Sequence, residues 1–348
     1  MIRKDCFADA YIRKLQQKSQ RDPILLERAI YAFGLLEALA QVGLPFIFKG
    51  GTCLMLLLEH PRRLSTDIDI IVEPGTDLDR FISEASRIFP FRSEEEQKRR
   101  GMNHIEKRHF KFTYDSPVNG KPFYILLDVL FEENQYAELV NKEIRNDLLL
   151  TEPEYLTVQI PSADCILADK LTAFAPHTTG IRLNDGKDME VVKQFYDVVS
   201  LLEVFNNFDK VLHTYEALAM VEVGYRGIGM TPQDCLRDTI DAALCIAARG
   251  KINAEEYKLY VKGIQALRGH IFAESFTPDT AAVMSTRVLY LAACLLTKEP
   301  FERVAECSKY TGEKIATDKL MPLSYLRKVN LESYAYVVKA DQIMSRMG

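Results

Sequence analysis

Close cysteine pairs, long apolar runs and a marked charge imbalance are all missing from this 348-residue chain. Its seven cysteines form no CxxC motif and are scattered through apolar helical stretches such as DAALCIAAR at 241–249. That scatter excludes a disulfide framework and a zinc site, and it predicts buried thiols in a reducing cytoplasm. No apolar run approaches ~18 residues, and the N-terminus MIRKDCFADAYIRKL is charged from its start, so neither a membrane span nor a secretory signal is expected. The formal net charge is only −5, which argues against binding nucleic acid by bulk electrostatics. Any RNA contact must be a local patch. Internal repeats, low-complexity segments and long linkers are also lacking.

What is present suffices for a sizeable core: 47% of the residues are hydrophobic, and the length favours two lobes. Residues 1–205 are expected to form an α/β lobe with a mixed sheet. Residues 206–348 are expected to be helical, because apolar residues recur every three or four positions in 210–223, 232–249, 254–268 and 279–297, while strand-like alternation nearly disappears. The lysines and arginines of 300–348 are interleaved with acidic residues, which favours solvated helix faces over a second RNA-facing surface.

The stretch that organises the first lobe is FIFKGGTCLMLLLEHPRRLSTDIDIIV, residues 46–72. It reads as strand, diglycine, helix, loop and second strand. At Gly50-Gly51 the missing Cβ atoms permit a tight turn and close approach to a phosphate. Thr52 is placed to cap the following helix, whose positive N-terminus suits an anion. In a strand, residues i and i+2 share a face, so Asp67-Ile68-Asp69 sets two carboxylates together. Such a pair repels unless a cation lies between. Mg²⁺ accepts carboxylate oxygens and keeps other positions for water and phosphate, so the pair suits a metal-bound nucleoside triphosphate.

Farther along, RHFKFTY at 108–114 alternates as a half-buried strand, Val118-Asn119-Gly120-Lys121 is a hairpin turn, and YILLDVLF at 124–131 is a central strand. Asp128 interrupts that apolar run, where an ionised carboxylate is costly unless paired or metal-bound. It is assigned as a third acidic residue, on the strand neighbouring Asp69; an Asp bonded to backbone N–H groups is the structural alternative. Lys98, Arg99, Arg100, Lys107 and Arg108 make a basic run, either a solvated loop or a phosphate-backbone patch for RNA. His104 and His109 show no metal-ligand partner and read as surface groups. LTVQI at 156–160 is a last strand, followed by the helix ADCILADKLTAF and, after a polar loop, by a helix over 189–205.

Lys49-Gly50-Gly51-Thr52, followed by Arg63-Leu64-Ser65-Thr66-Asp67-Ile68-Asp69, resembles the opening motif of polymerase-β-type nucleotidyltransferases. The closer likeness is to the AbiEii toxin family of bacterial type IV toxin–antitoxin systems. The resemblance implies a nucleotidyltransferase lobe in which Lys49, Gly50, Gly51, Thr52, Arg63 and Ser65 bind the nucleotide. It gives Asp67, Asp69 and Asp128 the task of holding Mg²⁺ or Mn²⁺, with Asp128 at the second metal or taking the proton of the attacking hydroxyl. ADKLTAF is similar to the family's third motif, whose lysine, here Lys170, reaches the nucleotide phosphates. The fourth motif, Arg-x-Lys-Asp-x-x-Asp, is matched at Lys193 and Asp197, while Val191 and Gln194 stand where its Arg and first Asp belong. Asp197 is the first choice for its site residue, Asp188 the second, and a carboxylate in a helix-terminal salt bridge the alternative. The resemblance further implies growth arrest by modifying an RNA such as a tRNA acceptor end, and a separate antitoxin. Two other readings stay open: nucleotidylation of a protein or an antibiotic-type small molecule, and nucleotide binding without turnover.

Overall fold

The computed structural model describes residues 1–58, 60–97, 106–226, 229–272 and 275–346. The chain divides into two compact units, Met1–Ser162 with Gly269–Glu274, and Ala163–Arg268 with Ser275–Gly348. The boundary expected at 205/206 therefore lies inside the second unit. Helical packing begins at Ala163, because the apolar helix that starts there packs on the helices that follow it.

The first unit holds helices α1 (Asp9–Ser19), α2 (Pro23–Gln41), α3 (Gly50–Leu57) and α4 (Asp79–Ala85). Its strands are β1 (Ile47–Lys49), β2 (Ile68–Val72), β3 (Ser93–Glu96), β4 (Lys107–Asp115), β5 (Pro122–Phe131), β6 (Leu139–Glu143) and β7 (Thr157–Pro161). They form one sheet in the order β3-β4-β5-β2-β1-β7-β6. β2 runs parallel to β5, and β1 parallel to β7, while the other neighbours are antiparallel, so the sheet is mixed as expected. Periodicity does not reveal β3 and β6. Both are short edge strands, SEEE and LVNKE, whose polar composition carries no alternating signal.

Strand periodicity gives the sheet two unlike faces. Phe110, Phe112 and Tyr114 of β4, Ile125, Leu127 and Val129 of β5, and Ile68 and Ile70 of β2 are buried. Their neighbours Lys107, His109, Lys111, Tyr124, Leu126 and Asp128 are exposed or half-buried. α2 covers the apolar face, packing on β5, β2 and α4. It starts where the sequence favours a start: the Asp22 carboxylate accepts from the N–H groups of Ile24 and Leu25 at 2.8 and 3.0 Å, and Pro23 takes the first helical position.

Glu27 on α2 is fully buried, and it ties the helix to the β4–β5 hairpin. Its carboxylate accepts from the Tyr114 hydroxyl at 2.9 Å, the Ser116 hydroxyl at 2.7 Å and the Val118 N–H at 3.2 Å. Tyr31, one helical turn on, stacks on Tyr114 with ring centres 3.9 Å apart. Burial, with the Glu27 charge beside it, pushes the Tyr114 hydroxyl far above its ordinary pKa, so it remains a donor.

The second unit is helical: α5 (Ala163–Ala173), α6 (Asp188–Leu202), α7 (Phe208–Arg226), α8 (Pro232–Ala247), α9 (Ala254–Leu267), α10 (Pro278–Thr297), α11 (Leu326–Val329) and α12 (Leu331–Met344). α8 and α10 both open with a threonine capping box and a proline at the first turn, Thr231-Pro232 and Thr277-Pro278. α10 packs against α6, α8 and α12. It is long and apolar enough to cross a membrane by length and composition, but Arg287 interrupts its apolar run and 67% of its most apolar window is buried, as in a core helix. All seven cysteines are free and six are buried, in keeping with their scatter. Burial pushes Cys6 up to about 11, and Cys245 and Cys294 to about 12, leaving them unreactive thiols.

Glu27→Ala should leave two hydroxyls and one N–H buried without an acceptor, at about 1–3 kcal/mol for each donor that water cannot reach. A urea unfolding midpoint well below wild type, at unchanged slope, is the expected result; an unchanged midpoint would mean that the hairpin is not anchored through Glu27.

Candidate active site

β1 ends at Lys49 and α3 begins at once, with Gly50 at φ 80°. A Cβ on Gly50 would overlap the Asp69 carboxylate, and one on Gly51 would stand 2.6 Å from the Ser65 hydroxyl and 2.8 Å from Nη2 of Arg63. The diglycine is thus demanded by close approach as well as by backbone angle. Thr52 does not cap the helix, because it sits inside the first turn. Its buried hydroxyl donates to the Asp67 carbonyl at 2.6 Å, holding the entry to β2 and leaving that hydroxyl committed within the fold. Arg63 is buried and donates from Nη1 to the Leu64 carbonyl at 3.1 Å.

Register assembles the rest. Lys49 pairs with Asp69 across β1 and β2, Asp69 with Asp128 across β2 and β5, and Asp128 with His109 across β5 and β4. Register partners share a face, so Lys49, Asp69, Asp128 and His109 form a row across four adjacent strands spaced roughly 4.8 Å apart. Two like charges stand in the middle, with a nitrogen-bearing side chain at either end. The four, together with Lys107, line a pocket of about 160 Å³. Asp67 lies one residue before β2 rather than opening it, and Arg28 of α2 reaches it, Nη2 to Oδ1 at 3.4 Å. The Arg28 guanidinium also sits 5.5 Å from the Phe123 ring centre.

His109 corrects the sequence reading. It is not a surface group: its side chain is 17% exposed, and its Nδ1 lies 2.6 Å from Oδ1 of Asp128. Neither His109 nor Arg28 carries a local sequence signal, since their partners come from other elements. Arg108 is also removed from the proposed basic patch. Its guanidinium is bound to Glu96 at 2.8 and 2.9 Å and to Asp79 at 2.8 Å, over the ring of Phe110. Lys98, Arg99, Arg100 and His104 lie outside the described residues.

Among the described residues no three His, Cys, Asp or Glu side chains form a ready cage for a metal ion. The donor chemistry nevertheless suits Mg²⁺. Asp69 and Asp128 are adjacent oxygen donors, and this ion takes one or two carboxylates and completes its shell with water and phosphate.

In the second unit, Lys170 of α5 and Asp197 of α6 are brought together. Nζ of Lys170 is 3.0 Å from Oδ2 of Asp197 and donates to Oε1 of Gln194 at 3.1 Å; the two charged side chains are 6% and 0% exposed. The residue standing in the place of the fourth motif's first Asp thus serves as a neutral acceptor for this lysine. Asp188 is separate, buried at the start of α6 with Oδ2 2.7 Å from Nζ of Lys262.

The model of the AbiEii nucleotidyl transferase toxin family of type IV toxin–antitoxin systems matches residues 34–283, well over half the chain. The chain belongs to that family. It is a nucleotidyltransferase, and a nucleotide substrate and a cognate antitoxin go with membership. No curated protein matches it. Among solved structures it is similar to JHP933 from Helicobacter pylori, at 14% identity and a TM-score of 0.45, over 78% of this chain and 94% of that one. It is also similar to an antigenic nucleotidyltransferase-like protein from Paracoccidioides brasiliensis, at 18% identity and a TM-score of 0.37, over 56% of this chain and 87% of that one.

Two outcomes follow for this AbiEii-family chain. Gly50→Ala should displace the Asp69 carboxylate and strain the backbone, costing about 1–3 kcal/mol in stability and abolishing nucleotidyl transfer. Retained transfer would show that Asp69 need not lie where it does. Lys170→Ala should withdraw a counter-charge from the buried Asp197 carboxylate, a loss of about 3–5 kcal/mol by denaturant unfolding, whereas Lys170→Ala with unchanged stability would mean that the pair opens at little cost.

Proposed function

We propose that this enzyme moves a nucleoside monophosphate from a nucleoside triphosphate to an acceptor hydroxyl on RNA such as a tRNA acceptor end, using Mg²⁺ (or Mn²⁺), in the cytoplasm. The observation that carries the reading is the Asp69–Asp128 pair, side by side in mid-sheet next to a diglycine turn. Asp67, Asp69 and Asp128 supply the carboxylates that would hold the cation. Such a cation, when bound, screens the carboxylates and withdraws charge from the phosphates. Gly50 and Gly51 let the phosphates approach the backbone at the start of α3, with Lys49 beside them. The acceptor oxygen bonds to the α-phosphorus, the bond from that phosphorus to the bridging oxygen breaks, and pyrophosphate leaves. The acceptor's proton passes to the Asp128 carboxylate.

RNA is favoured as acceptor by the sheet face that continues from the pocket. Lys107 and Lys111 lie on it with His109, and the Lys111 ammonium sits 4.8 Å from the ring centre of Tyr124, which is 37% exposed. Lysines beside an open aromatic ring suit a strand with phosphates and stackable bases.

Incubation with each α-labelled nucleoside triphosphate, Mg²⁺, total RNA and cell protein should place label in the RNA fraction. Label in protein, or in neither, overturns the RNA reading. Asp69→Asn should abolish transfer without lowering thermal stability, since it removes a like-charge repulsion; substantial transfer by that variant would remove Asp69 from the metal set. Lys111→Glu should weaken RNA binding and flatten the plot of log affinity against log salt by about 0.7–0.9 for each phosphate no longer neutralised, with nucleotide affinity unchanged. An unaltered slope takes β4 out of the acceptor surface.

A further inference from the structure

We infer that His109 is a positioning residue of the transfer site, fixing the Asp128 carboxylate in one orientation. The inference rests on the proposed membership of Asp128 in the acidic set. It goes beyond that reading by assigning work to a side chain that the motifs do not include.

Asp128 has Asp69 as its register partner on one side and His109 on the other. The terminal torsion of an aspartate is broad, so nothing intrinsic to the side chain selects one carboxylate orientation. Repulsion from Asp69 drives Asp128 away from the place where both are needed together. The hydrogen bond from Nδ1 of His109 to Oδ1, at 2.6 Å, opposes that drift and commits one oxygen. Asp128 then acts through Oδ2. The same bond settles the imidazole: the proton sits on Nδ1, as in the carboxylate–histidine pairs that orient ligands around metal sites.

A purely structural pair would be sealed in the core, and its loss would unfold the protein. This pair is placed differently. Asp128 is 36% exposed, on the open face of the sheet and against the pocket, while the apolar residues that hold β4 to β5 lie on the opposite face. Removing the imidazole should therefore change how the carboxylate points and leave the fold intact.

The test uses the full-length protein, with each α-labelled nucleoside triphosphate and total RNA as acceptor. His109→Phe should lower kcat by about 10–100-fold, with the nucleotide KM and thermal midpoint unchanged. His109→Asn, whose amide nitrogen occupies nearly the place of Nδ1, should regain most of the lost rate. In the wild type a downfield imidazole N–H proton resonance is expected, absent in His109→Phe and shifted upfield in Asp128→Ala. The inference is overturned if His109→Phe keeps the wild-type kcat while Asp128→Ala is inactive, if His109→Asn is as slow as His109→Phe, or if the resonance is indifferent to Asp128→Ala. An Asp128→Ala enzyme as active as wild type would instead bring down the acidic set itself, and the inference with it.

Discussion

Two carboxylates held side by side in the middle of a sheet are the constraint around which the first unit is arranged. The parallel pairing of β2 and β5 puts Asp69 beside Asp128, where electrostatics alone would part them. The surrounding structure compensates in kind. Lys49 and His109 flank the pair, Arg28 reaches Asp67 from the helix layer, and the glycine at the end of β1 provides room for the Asp69 carboxylate. Rigidity comes from the opposite face, where aromatic and branched residues pack under α2, and where the buried Glu27 locks the β4–β5 hairpin to that helix. Such a site is preorganised because its strands cannot slip: a shift of β2 or β5 by one residue would turn that strand's acid into the core.

Much of this is legible in the chain. Periodicity locates β4, β5 and β7 and most of the long helices of the second unit, and the diglycine with Asp67 and Asp69 marks the turn and the acidic strand. The apolar context of Asp128 marks a carboxylate in need of a partner, and the strand that carries it does set it beside Asp69. What cannot be read is whatever depends on register or on distant partners. His109 is one polar residue among several in an alternating strand until β4 is paired with β5. Arg28 lies on a helix whose sequence reports only amphipathy. Thr52 has a capping residue's chemistry, but the helix starts two residues earlier, at Gly50, so the Thr52 hydroxyl falls inside the first turn and bonds to the Asp67 carbonyl instead.

The second unit teaches a related lesson about charge and burial. Lysines seldom lie fully buried, yet Lys170 is enclosed, with Asp197 and the Gln194 amide as partners. A buried pair of this kind contributes less to stability than its short separation suggests, because both ions have lost their water. Its strength lies in mutual dependence: removing either residue withdraws a counter-charge from the other in a buried place, so the pair ties α5 to α6.

β3 has a consequence that reaches past the single molecule. Its sequence, SEEE, lines one edge of the sheet with glutamates at three consecutive positions. An edge strand exposes unpaired N–H and C=O groups, an open invitation to another strand. A second copy approaching this edge in antiparallel fashion would lay its own glutamates against Glu94 and Glu95, and like charges set opposite each other weaken such a pairing. The polar strand that periodicity overlooks therefore disfavours the joining of two such sheets edge to edge.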